Sequence, residues 1–176
     1  YQTAGDDRSK IADEIREAWK EADLILTTGG VSVGEKDLLP GVIENLTGNV
    51  LFHGIQVKPG MPTMLSVVKG TPVLSLSGNP FAVEALFEVL AGGYLTDMEA
   101  SRYLQKNQMK ILKQTFVKTG KMKRIVKGRC DESGVYLPQI QKNGQLKNGI
   151  GSNCLVIFPE GERTYTEGEA VRVIRI

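Results

Sequence analysis

Leu24-Ile25-Leu26-Thr27-Thr28-Gly29-Gly30-Val31-Ser32-Val33-Gly34 is the stretch on which the fold turns. Its first five residues form a short apolar run, as a buried strand does, and the glycines that follow stop it. A second helix is expected over 36–46. Ahead of the strand, Ile11, Ile15, Ala18, Trp19 and Ala22 recur at helical intervals, with Asp6 or Asp7 placed to cap that helix. Downstream, strands are expected over 50–57, 64–68 and 73–77. Gly78-Asn79-Pro80 then leads into a helix over 80–91 that Gly92-Gly93 ends. Strands alternating with helices through short loops predict an α/β fold, three-layered with a largely parallel sheet.

Beyond residue 98 the texture changes. Segments 109–119, 123–130, 134–139, 154–158 and 170–176 are short and β-rich, punctuated by Gly120, Gly128, Gly134, Asn143-Gly144, Asn148-Gly149 and Gly168. They predict a small all-β barrel or sandwich, so the domains expected are 1–100 (α/β) and 104–176 (β). Charge divides the same way. Residues 1–98 hold 7 Lys/Arg against 13 Asp/Glu, a net of −6, and residues 99–176 hold 15 against 7, a net of +8. Glycine is abundant at 20 of 176 residues, whereas histidine occurs once, as His53, which argues against a Ser-His-Asp triad or a histidine metal cage. Cys130 and Cys154 fit no metal spacing and read as small buried hydrophobes in a reducing, cytoplasmic setting. No apolar run approaches the ~18 residues of a membrane span. Trp19 reads as core, and His53 as a packed or solvated side chain.

Two strand–glycine–helix junctions recur, at Thr28–Gly34 and Ser77–Pro80. In an open α/β sheet the carboxyl ends of parallel strands share one edge, where backbone N–H groups without a nearby Cβ can hold an anion. Lys58 also falls at a strand end, and the combination points to a phosphate-bearing or other oxyanionic ligand; tight turns alone are the plainer reading. The P-loop pattern fails, because Glu35 and Lys36 follow Gly34 where Lys and Ser/Thr are required. No GxGxxG run follows a strand, which disfavours a nicotinamide site. Asp6, Asp7, Glu35 and Asp37 lie near element ends, either as helix caps and starts or as carboxylates for Mg²⁺, which takes one or two of them with phosphate oxygens and water.

The run Asp23-Leu-Ile-Leu-Thr-Thr-Gly-Gly-Val-Ser-Val-Gly-Glu-Lys-Asp37 resembles the signature of the molybdopterin molybdenumtransferases, the MoeA and gephyrin E-domain family. So do Phe52-His-Gly-Ile-Gln-Val-Lys-Pro-Gly-Met-Pro62 and Leu76-Ser-Gly-Asn-Pro80. Asn153-Cys-Leu-Val-Ile-Phe-Pro-Glu-Gly161 and Glu167-Gly-Glu-Ala-Val-Arg-Val173 are similar to pieces of that family's final β domain. The resemblance implies a molybdopterin-binding-like domain followed by a β domain, as a fragment lacking N-terminal parts. It also implies a reaction in which molybdate is inserted into adenylylated molybdopterin and AMP leaves with Mg²⁺ assistance. Carried over by motif, Asp6 and Asp37 would place metal and water, and Lys58 would neutralise molybdate or phosphate charge. Gly29, Gly30, Ser32, Gly34 and Gly60 would line the pterin-phosphate pocket, with Ser77, Gly78, Asn79 and Pro80 closing it. A homodimer and contacts with other molybdenum-cofactor assembly proteins are implied as well.

Three positions depart from the family's pattern. Gly54 stands where members often carry lysine, Met61 where they carry the second lysine of Lys-Pro-Gly-Lys-Pro, and Ser77 where they carry proline. These departures leave a catalytically impaired pterin- or partner-binding scaffold as one alternative. The run Lys118, Lys121, Lys123, Arg124, Lys127 and Arg129 leaves RNA binding by the basic β module as another, weighed against a solvated basic face and few aromatics for base stacking.

Overall fold

The computed structural model describes residues 3–32, 34, 37–91, 107–138 and 151–176. The chain divides into two compact units, Tyr1–Ile55 with Gly60–Val83, and Gln56–Pro59 with Glu84–Ile176. The expected boundary at 98–104, the Gly92-Gly93 stop and the Asn143-Gly144 and Asn148-Gly149 turns lie outside the described residues. No helix among those described is long and apolar enough to cross a membrane.

The elements of the first part of the chain are α1 (Arg8–Ala18), β1 (Ile25–Thr28), α2 (Leu39–Asn45), β2 (Asn49–His53), β3 (Val57–Lys58), β4 (Met64–Val68), β5 (Thr71–Leu76) and α3 (Pro80–Leu86), the last running into a π-helical turn over Phe87–Ala91. Asp7 is the cap of α1: its Oδ1 accepts from the N–H of Ser9 at 2.9 Å and of Lys10 at 3.3 Å. Ala12 and Ile15 on that helix meet Leu39, Val42, Ile43 and Leu46 around α2, and both helices cover the sheet face that carries Ile25, Met64, Val68 and Val73. Trp19 packs partly buried against the same core, as its helical spacing predicts.

The fold is mixed α/β, with a sheet ordered β1-β5-β4-β2. The expectation of a largely parallel sheet needs correction. Among the described residues, β1 and β5 pair in parallel, whereas β5–β4 and β4–β2 are antiparallel. The cause is local. Lys69 (φ 53°) and Gly70 (φ 90°) both sit left-handed, as a two-residue hairpin demands, and a hairpin can only join antiparallel strands. The single strand expected over 50–57 is also two elements. Gly54 turns left-handed at φ 96°, and β3 leaves to pair with a strand of the second unit.

That unit is built from β6 (Asn107–Ile111), β7 (Phe116–Lys118), β8 (Lys123–Cys130), β9 (Val135–Tyr136), β10 (Cys154–Phe158), β11 (Arg163–Tyr165) and β12 (Ala170–Arg175). Segment 109–119 is therefore two strands, and β11 was not expected from its polar Arg-Thr-Tyr sequence. One sheet runs β3-β8-β10-β12-β6 with β9 on β8, and β7 pairs β11 separately. Every residue of β10 is buried, so both of its faces are covered. The β7–β11 pair supplies one cover: its register partners Phe116 and Tyr165 both lie against Phe158, with ring centroids 4.5 and 4.7 Å away. Lys118, two residues along β7 from Phe116, is buried at 2% exposure. Its Nζ donates to the carbonyl oxygens of Gly120, at 2.8 Å, and Gly161, tying two turns together.

Candidate functional site

The parallel pairing of β1 with β5 sets Thr28 opposite Leu76, so the two strands end side by side. The Gly29 N–H donates to the Leu76 carbonyl at 2.9 Å and carries the pairing one residue past the strand. A Cβ on Gly78 would stand 3.5 Å from the Gly29 Cα. The two glycine loops, 49 positions apart in sequence, thus lie in contact at one sheet edge. Gly29 and Gly30 take φ of 84° and 64°, a region that L side chains rarely adopt.

The donors of this edge can now be assigned. The Gly29 N–H is used by Leu76, and the Gly34 N–H donates to Asp37 Oδ2 at 2.8 Å, while the Asp37 N–H returns to the Gly34 carbonyl at 2.9 Å. Among the described residues the backbone N–H groups of Gly30, Val31 and Ser32 have no protein partner. Among the described residues of the loop, those three, rather than Gly29 and Gly34, are the open donors. α2 begins at Leu39, with Pro40 in its first turn, later than the expected residue 36. The glycine loop therefore closes on itself through Asp37 before the helix starts, and the Leu39 N–H donates to the Gly30 carbonyl at 3.0 Å.

At the second loop, Asn79 caps α3: its Oδ1 accepts from the N–H of Phe81 at 3.0 Å and of Ala82 at 3.3 Å, leaving its amide nitrogen for other partners. Ser77 Oγ accepts from the Asn79 N–H at 3.2 Å, and Pro80 opens the helix. Gly60 turns at φ 103°, and its carbonyl accepts from Thr63 Oγ1 at 2.7 Å.

His53 was read from sequence as a packed or solvated residue, and the structure gives it a definite contact. Its Nε2 lies 2.7 Å from the Val31 carbonyl oxygen, so a neutral ring carries its proton on Nε2 and fixes the middle of the glycine loop. Nothing in the spacing of His53 signals this, because the contact joins the end of β2 to a loop 22 residues earlier.

The carboxylates are less gathered. Among the described residues Asp37 is held in its turn through Oδ2 with no partner on Oδ1, and Asp6 is exposed with no partner. Among those residues no three of His, Cys, Asp and Glu come together as a metal cluster. Asp7, not Asp6, is the helix cap, and three hydrogen bonds from Ser9 and Lys10 hold its carboxyl below the ordinary aspartate range.

Lys58 belongs to the second unit, where β3 lies parallel to β8 with Val57 opposite Lys123 and Lys58 opposite Arg124. The basic run on and before β8 is not one solvated face. Lys118 is interior, and Lys127 pairs with Glu84 at 2.5 Å. Phe116 stacks on Phe158 inside the unit. Cys130 and Cys154 are free and buried, as expected; burial first, and the neighbouring Cys130 second, push the Cys154 thiol up to about 12.

Residues 1–97 match a family described as a probable molybdopterin binding domain. The molybdopterin molybdenumtransferase of Staphylococcus aureus (strain COL) is 29% identical over 179 residues, 99% of this chain and 43% of that protein. The crystal structure of the molybdopterin biosynthesis MoeA protein from Pyrococcus horikosii superposes with a TM-score of 0.79 at 28% identity, over 98% of this chain and 42% of that one. A molybdenum cofactor biosynthesis protein from Pyrococcus furiosus, 24% identical with a TM-score of 0.72 over 97% of this chain and 55% of that one, shares the fold. The chain thus spans less than half the length of the curated relatives it matches.

Proposed function

Since this chain belongs to the family of the probable molybdopterin binding domain, we propose that it is the part of a molybdopterin molybdenumtransferase that takes adenylylated molybdopterin, inserts molybdate and releases AMP. The observation that carries this reading is the meeting of two glycine loops at the joint ends of β1 and β5, with N–H groups at Gly30, Val31 and Ser32 that have no partner among the described residues. Free backbone donors without a crowding side chain suit phosphate oxygens, whose charge they meet with no protein nucleophile required.

On this reading Gly29, Gly30, Ser32 and Gly34 receive the pterin phosphate. Ser77, Gly78, Asn79 and Pro80 bound it from the second loop, where the Asn79 amide and the Ser77 hydroxyl are available as donors. Gly60 lines the pocket, and Lys58 neutralises charge on molybdate. The donor chemistry fits Mg²⁺: among the described residues Asp37 retains one carboxylate oxygen and Asp6 both, and Mg²⁺ takes one or two carboxylates, completing its shell with phosphate oxygens and water. Bound there, the ion supplies positive charge at the phosphoanhydride. His53 holds Val31, and so keeps the open N–H groups presented. A cytoplasmic homodimer working with other cofactor-assembly proteins completes the proposal.

The test is AMP release from adenylylated molybdopterin with molybdate and Mg²⁺, using the whole protein that carries this chain. Asp37→Ala is expected to slow release at least ~100-fold, the scale of losing one group that stabilises developing charge. Release at an equal rate removes Asp37 from the mechanism, and pterin binding without any release favours the scaffold alternative.

A further inference from the structure

We propose that serine at position 77, where the resembled pattern has proline, is an exchange rather than a loss. Its hydroxyl accepts the Asn79 N–H, which shapes the turn, and gives its own proton to a phosphate oxygen of the adenylylated pterin. This rests on the reading of the two glycine loops as the phosphate site. Ser77 follows directly on β5, whose last carbonyl, that of Leu76, holds the Gly29 N–H at 2.9 Å. The residue after it, Gly78, is the one that meets Gly29. Ser77 therefore stands half-buried at the joint of the two loops.

Its side chain reaches by a hydrogen bond what a proline reaches by its ring. Ser77 Oγ accepts from the Asn79 N–H at 3.2 Å and closes a turn over two residues. That turn orients Asn79, whose Oδ1 caps α3 through the N–H groups of Phe81 and Ala82. A proline at 77 would stiffen the same stretch by fixing its φ. The Ser77 N–H has no partner among the described residues, so the ring would cost no backbone bond. The hydroxyl proton is what the two solutions do not share. A hydroxyl that accepts one bond still has a proton to donate, and among the described residues nothing accepts it from Ser77. Serine thus adds one neutral donor to the sheet edge that presents the Gly30, Val31 and Ser32 N–H groups, in a chain where Gly54 and Met61 bring no charge.

The experiment uses the whole protein that carries this chain and measures binding of adenylylated molybdopterin by calorimetry, without molybdate. Ser77→Pro keeps a stiff turn and removes the donor. It is expected to weaken binding roughly tenfold, the scale of one hydrogen bond to a charged group. Ser77→Ala, which loses both turn and donor, should lose at least as much. Ser77→Thr keeps both and should recover most of the affinity. The donor is neutral, so the loss in Ser77→Pro is expected to be the same at low and at high salt. The proposal is overturned if Ser77→Pro binds as tightly as wild type, or if its loss vanishes at high salt. Should Ser77→Pro fail to fold, Ser77→Ala is compared with Ser77→Thr, and equal affinities overturn the proposal. AMP release on adding molybdate and Mg²⁺ is scored in parallel. Wild-type release with unweakened binding by Ser77→Pro sinks the role of the serine alone. Wild type that neither binds the pterin nor releases AMP sinks the reading of the site as well.

Discussion

Lys118 shows how one residue can look like surface and behave as interior. In sequence it heads a basic run, yet its stem lies beside Phe116 and its ammonium joins the Gly120 and Gly161 carbonyls. Lys118→Met is expected to cost about 1.5 kcal/mol, the low end for a charged hydrogen bond, because both turns are exposed and water can replace the donor. Urea unfolding reads the difference, and a more stable variant would show that the buried charge is a net burden. Cys154 makes a second case. Its folded thiol titrates near 12, above its ordinary 9.0, so the folded state binds a proton that the unfolded state releases between those values. Stability from this group is complete below pH 9 and declines as pH rises toward 12. Folded protein at pH 8 should therefore react with an aromatic disulfide reagent far more slowly than protein in guanidinium; equal rates would contradict the buried state.

Elements were legible where the chain punctuates itself. Asp7, Pro80 with Asn79, and the Gly29-Gly30 pair mark ends through their own backbone preferences, so α1, β1 and α3 follow from local chemistry. The antiparallel direction of β4 and β5 follows from the two residues between them, too few for a parallel crossover, but their register was not legible, because it depends on which face of β4 is buried. The contact between Gly29 and Gly78 was likewise beyond reach, since it exists only once β1 pairs with β5. Element packing also sets the cost of small changes. Gly48 leads from α2 into β2 where a Cβ would come within 2.8 Å of both Ile43 Cγ2 and Val68 Cγ2, and 3.0 Å of the Ile43 carbonyl. Gly48→Ala should destabilise by about 1–3 kcal/mol through overpacking against a backbone that cannot yield. Chemical denaturation checks this, and an unchanged midpoint would mean the turn relaxes freely.

At the scale of the whole molecule, charge and architecture are partitioned together. The half with a net of −6 contains the loops assigned to an anionic ligand, and the half with +8 receives Lys58. The break in composition near residue 98 was legible, but the loan of Gln56–Pro59 to the later unit was not, because two residues of strand carry no periodicity. That loan has a consequence for anyone cutting the gene. A polypeptide beginning at Glu84 would carry every strand of the later sheet except β3, leaving the Lys123–Arg124 end of β8 without its neighbour. Unpaired strand edges recruit other chains, so this piece is expected to self-associate in light scattering at concentrations where the longer chain does not. A synthetic peptide spanning 54–60, added in trans, should suppress that association. If the shortened piece stays monodisperse without it, β3 is an ornament on the sheet rather than the stitch that lets two stretches of one gene be inherited only together.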